Sequence, residues 1–182
     1  MNRYFIFLSI LLFVFACEKK ADTVVFETNE GSFTIQVNHQ TTPKHAANFI
    51  KLAKEGFYEG LAIHKVIGGT LIEMGDPFSN DDDPLNDGAG DPGIPIEPEL
   101  GKLSHFRGAV AAVQIKGDNS AKRSNSSQFY ICLTRLKIRD GNHTVFGKVI
   151  ENLEVVDKIS WVPMDFSNKP KNPIIIKKVY LK

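Results

Sequence analysis

The sequence predicts a single, mainly β domain, a barrel or a sandwich, with two helices set among the strands. Short runs rich in β-branched and aromatic residues recur along the chain between polar, proline- and glycine-rich stretches. Two segments alone space their apolar residues at the helical period. The 182 residues, 42% hydrophobic and 24% charged, supply one well-buried core and little material for a second.

The first two strands are read at 23–28 and 32–37, joined through Asn29-Glu30-Gly31 as a hairpin. Thr42-Pro43 has the form of an N-cap followed by proline at the first helical position, and Ala46, Phe49, Ile50 and Ala53 keep helical spacing until Gly56 stops the segment. Strand-like runs follow at 61–67, 71–74, 109–113, 129–133 and 145–150. The second helix is expected at 152–159, with Leu153, Val156 and Ile159 on one stripe, and a last strand at 174–181 ties the C-terminus into the sheet. Two long irregular stretches remain, 77–101 and 114–127, and loops of that length in a small domain usually serve function.

Residues 1–16 stand apart: Arg3 precedes an apolar run from Tyr4 to Ala16 that is short for a membrane span and reads as a signal peptide. Val14-Phe15-Ala16-Cys17 is similar to a bacterial lipobox, so Cys17 is the expected lipidation site, with an ordinary cleaved signal peptide as the alternative. The reading is signal peptide 1–16, lipidated tether 17–22 and domain 23–182, anchored to a membrane of the cell envelope and facing the periplasm or the exterior. Cys132 lies in an apolar run and is read as a buried, inert thiol. Loss of Arg3 with the leader leaves 21 basic against 21 acidic residues, a balance that argues against a nucleic-acid partner. The acidic run Asp81-Asp82-Asp83, with Asp87 and Asp91, lacks the alternating pattern of a calcium loop, so no metal is expected. Lys116, Lys122 and Arg123 read as a solvated basic loop, with contact to an acidic partner as the alternative.

Six collinear blocks resemble a bacterial cyclophilin: 47–52 with 56–61 and 63–67, Ile72-Glu73-Met74-Gly75-Asp76, 88–93 with Glu99, 127–132, 140–149 and 155–157. The resemblance covers Thr23 to Lys182. It implies a closed eight-stranded antiparallel barrel capped by a helix at each end, and peptidyl-prolyl cis-trans isomerase activity on proline-containing polypeptides. It implies no cofactor, and a monomer is expected. In that family an arginine stabilises the twisted prolyl amide, a glutamine helps to hold it, and an apolar pocket grips the proline ring. At the matching positions here the arginine is Lys65 and the glutamine Glu73, the implied catalytic pair. His64 precedes the lysine. The pocket phenylalanine and methionine are Thr70 and Leu71, the alanine-asparagine pair is Val113 and Gln114, and Gln128 precedes Tyr130, which stands for a second phenylalanine. Ile138 and Arg139 occupy the tryptophan and leucine positions, and His143 keeps the histidine. Lysine lacks the planar donor fork of arginine, Glu73 can draw its ammonium away from substrate, and Arg139 puts charge at the pocket rim. The segment 115–127 is longer than usual and is expected to overhang the groove. Two functions follow: an isomerase of reduced activity that assists exported proteins, or a weakly catalytic module that binds proline-containing segments.

Overall fold

The structure, a computed structural model, describes residues 22–81, 83 and 85–182. The expected signal peptide and the Cys17 lipidation site lie outside the described residues. Among the described residues eight strands form one antiparallel sheet: β1 Thr23–Thr28, β2 Gly31–Val37, β3 Lys65–Ile67, β4 Leu71–Met74, β5 Ala109–Gln114, β6 Ser124–Cys132, β7 Val145–Glu151 and β8 Ile176–Leu181. Helix α1 spans Pro43–Lys54 and α2 spans Leu153–Ser160.

The strand order is β3-β4-β6-β5-β7-β2-β1-β8, so the sheet curls into a half-barrel with β3 and β8 at its free edges. The closed barrel expected from the sequence is thereby corrected to an open one. The physical reason lies in β3, which is three residues long. Its neighbour across the seam is a loop, with Val66 N–H donating to the Asn168 carbonyl at 2.8 Å. Contact with the other edge is made just upstream, where Ala62 bridges Ile175 and Ile63 N–H donates to Ile174 O at 2.9 Å.

Period-two alternation sends Phe26, Phe33, Phe129, Ile72, Met74 and Val110 to the inside of the curl, where α1 adds Phe49 and Ile50. Tyr58 and Phe146 complete an aromatic cluster whose ring centroids are 5.2 to 6.3 Å apart, a spacing at which edge and offset contacts are favourable. The opposite side chains of β4, β5 and β6, among them Leu71, Ala111, Tyr130 and Cys132, form a smaller cluster on the other face of the sheet. Burial pushes the Cys132 thiol up to about 12, which leaves it protonated.

Helix α1 ends as Gly56 predicts: at φ +70° its N–H reaches Ala53 O while Phe57 N–H reaches Leu52 O, the paired bonds of a Schellman motif. Its start differs from the sequence expectation. The Thr42 hydroxyl turns back to Asn38 O at 2.9 Å, and the Glu99 carboxylate takes the capping role by accepting from the N–H groups of Lys44 and His45 at 3.1 and 3.0 Å. A remote carboxylate at the positive end of the helix dipole does the work of a local cap.

Candidate functional site

Strand register builds the site as one transverse row. Lys65 on β3 pairs with Glu73 on β4, Glu73 with Tyr130 on β6, and Tyr130 with Ala111 on β5. All four residues point away from the main core. The Lys65 ammonium lies 3.2 and 3.3 Å from the two carboxylate oxygens of Glu73. The lysine side chain is 37% exposed and the glutamate 10%, so the anion is the more buried partner and the cation opens toward solvent.

Above this row a cavity of about 520 Å³ is walled by His64, Lys65, Glu73, Val113, Gln114, Gln128, Arg139 and His143, together with Leu85, Asp87, Gly88, Lys116 and Ser167. Its loops are fixed by hydrogen bonds. The buried Asp76 carboxylate accepts from the N–H groups of Gly88 and Gly90 at 2.5 and 3.0 Å. The Gln128 and Asn125 amides both donate to Gly90 O, at 2.6 and 2.8 Å. Gln114 Nε2 donates to Asn142 O at 2.6 Å, tying the end of β5 to the loop that carries His143. The Asp87–Lys169 ion pair, at 2.5 Å, draws the segment 85–90 against the 163–171 hairpin at the seam.

His64 is 4% exposed, and neither ring nitrogen has a partner among the described residues. Desolvation lowers its pKa to about 4 against the pull of Glu73 and Asp87. Burial, helped by the charge of Arg139, likewise lowers His143 to about 4, and its Nδ1 is unpartnered among the described residues. Both histidines are therefore neutral near pH 7 and offer hydrogen bonds without charge.

The pocket expected for the proline ring is reshaped. Tyr130 is fully buried, and its hydroxyl sits 2.9 Å from His105 Nε2, while His105 Nδ1 lies 2.8 Å from Asp140 Oδ1. A carboxylate only accepts, so Nδ1 carries the proton and Nε2 accepts from the tyrosine. Arg135 holds Asp140 from the other side. The Arg139 guanidinium lies over the Tyr130 ring at 4.5 Å from its centroid, a cation–π contact that covers an apolar face.

Of the twelve catalytic and substrate-binding residues expected from the sequence, the cavity wall brings together His64, Lys65, Glu73, Val113, Gln114, Gln128, Arg139 and His143. The other four lie elsewhere. Leu71 is 1% exposed within the smaller cluster, and Tyr130 is beneath Arg139. Thr70 stands in the β3–β4 turn with its hydroxyl on Gly68 O at 3.3 Å. Ile138 is 88% exposed on the short 3-10 turn Lys137–Arg139. Sequence reasoning missed Leu85, Asp87, Gly88 and Ser167 in the wall, and the His105–Asp140 support under Tyr130. The phenylalanine-to-tyrosine change was the available signal for that support, because a buried hydroxyl requires a partner. Lys116 belongs to the long segment expected to overhang the groove, and it does reach the cavity.

Residues 23–181 match the family model described as cyclophilin type peptidyl-prolyl cis-trans isomerase/CLD. The chain is 35% identical over 144 residues to a peptidyl-prolyl cis-trans isomerase of Helicobacter pylori, covering 77% of this chain and 81% of that one. It is 34% identical over 159 residues to the isomerase ppi1 of Schizosaccharomyces pombe, covering 87% and 98%. A peptidyl-prolyl cis-trans isomerase-like 2 of Gibberella zeae is 38% identical over 157 residues, 85% of this chain, which spans 26% of that protein's length. The crystal structure of a cyclophilin type peptidyl-prolyl cis-trans isomerase from Cryptosporidium parvum superposes with a TM-score of 0.79 at 29% identity, over 89% of this chain and 98% of that one. The same protein crystallised in the presence of the dipeptide Ala-Pro gives 0.78 at 28% identity. A match over nearly the whole described domain, with full-length relatives above 30% identity, places this chain in the cyclophilin-type peptidyl-prolyl cis-trans isomerase family.

Proposed function

We propose that the chain is a peptidyl-prolyl cis-trans isomerase of reduced activity, anchored by lipid at Cys17 in the cell envelope, that acts on proline-containing segments of exported proteins. The observation that carries the catalytic reading is the Lys65 ammonium on the floor of an open cavity, within a fold whose relatives are named for this activity. Rotation about an X-Pro bond meets a barrier of about 18–20 kcal/mol because the amide nitrogen shares its lone pair with the carbonyl. At the twisted geometry that lone pair is localised and accepts a hydrogen bond, which a cation donates. The rate is lower than with arginine because the Glu73 carboxylate holds the ammonium and a lysine offers no planar fork. The test is exchange NMR on blocked proline peptides. Catalysed exchange that falls with Lys65→Ala supports the reading, and a rate equal to the uncatalysed one rejects it. Mass spectrometry of the mature N-terminus tests the anchor: an acylated Cys17 supports it and an unmodified terminus rejects it.

The Arg139 guanidinium lying over Tyr130, where the proline ring was expected, favours a second reading, a module that binds proline segments with little catalysis. Peptide binding without accelerated exchange would select it.

A further inference from the structure

Of the three cations that line the cavity, Lys65 is neutralised in place by Glu73, and the lining carboxylate Asp87 is taken up by Lys169. Arg139 and Lys116 also face it, and among the described residues neither lies within an ion-pair distance of a carboxylate. Arg139 rests on the Tyr130 ring, and its loop is stitched to the Lys116 segment: Lys122 Nζ donates to Asn142 Oδ1 at 2.8 Å and to Gly141 O at 3.3 Å, and Gln114 Nε2 to Asn142 O. At the other end, Lys116 Nζ and His64 Nε2 both come within 3.6 Å of the point where a Cβ on Gly88 would stand. An ammonium thus converges there with a buried, unpartnered imidazole.

We propose that this groove selects proline segments bearing an aspartate or glutamate beside the proline, read by Arg139 and assisted by Lys116. The proposal rests on the reading of the cavity as the peptide site. Tyr130 lies two strands from Lys65 in the transverse row, about 10 Å at the usual strand spacing, or about three residues of extended chain. An aspartate or glutamate beside a proline held at Lys65 covers that distance with one residue of backbone together with its own side chain and that of Arg139, which stands over the Tyr130 ring. A lysine at the same place meets like charge.

The test is catalytic efficiency by exchange NMR on blocked Ala-Xaa-Pro-Phe and Ala-Ala-Pro-Xaa peptides, with Xaa as Glu, Ala or Lys. The expected ratio of Glu to Lys peptides is about ten in low salt in one of the two series, shrinking toward one as salt is raised. In Arg139→Leu, Lys116→Gln the ratio falls to near one. Because the ratio is taken within one preparation, it does not depend on the fraction of folded protein, and the salt series needs no variant. Turnover of the Ala peptides with a ratio of one in both series overturns this inference and leaves the isomerase reading standing. If no peptide is turned over, the isomerase reading fails alone and titration of the same peptides followed by chemical shifts decides: tighter binding of the Glu peptides sustains the selection and equal binding overturns it.

Discussion

Restoring an arginine and a glutamine at the Lys65–Glu73 pair tests whether the ion pair competes with substrate. At 3.2 Å, two unit charges attract by about 1.3 kcal/mol in water and about 5 kcal/mol at an effective dielectric of 20. With the lysine 37% exposed, solvent screening brings the value toward the lower figure, about 1–2 kcal/mol. That is roughly a tenfold rate difference if the pair must loosen before the donor reaches the amide. Lys65→Arg alone leaves a guanidinium clamped in a bidentate pair, since both carboxylate oxygens already face this position. Glu73→Gln alone frees a lysine that still lacks the fork. The double variant combines a planar donor with a neutral neighbour, so its gain in kcat/KM is expected to exceed the sum of the single gains by about 1 kcal/mol or more. Exchange NMR on one proline peptide for all four proteins gives the cycle directly. Additivity within about 0.3 kcal/mol would refute competition.

Three further outcomes are expected. His64, at about 4 in the folded chain against 6.5 unfolded, binds fewer protons when folded. Its contribution is complete above pH 6.5 and is lost as pH falls toward 4, by up to about 3 kcal/mol; urea unfolding at a series of pH values shows this, with a flatter profile in His64→Gln. Glu99→Ala removes two N–H acceptors at the start of α1 and the buried partner of His45 Nδ1, and is expected to destabilise by about 2–3 kcal/mol in the same assay. Tyr130→Phe leaves His105 Nε2 without its donor and is expected to cost about 1–2 kcal/mol, with no loss of structure by circular dichroism.

Local periodicity located most strands because alternation and turn residues are local properties. The 71–74 run and the hairpin at 23–37 appear in the structure nearly as read. Where the expectations fell short, the deciding contacts are remote in sequence. Strand β6 begins at Ser124, five residues earlier than its apolar run, because Ser124, Asn125 and Gln128 find partners in His45 and the carbonyl of Gly90. Glu99 caps a helix 55 residues away. The seam stays open because the 163–171 hairpin, not a strand, meets β3. At the site, block matching named Lys65 and Glu73 as a pair, and strand register sets the two opposite each other. It could not tell that Arg139 folds onto the Tyr130 ring, which depends on a cation–π contact between neighbouring loop and strand. Nor could it tell that Ile138 turns to solvent.

The open seam gives the two halves of the charge pair different footings. Glu73 stands on β4, bonded on both sides, whereas Lys65 opens an edge strand of three residues whose outer bond goes to the 163–171 hairpin. Short edge elements open at a lower free energy than those bonded on both sides. A fluctuation at the seam therefore stretches the gap between ammonium and carboxylate before it strains the rest of the sheet. In the proposed isomerase, breathing of this margin is the motion that hands the lysine from its own counter-ion to a peptide.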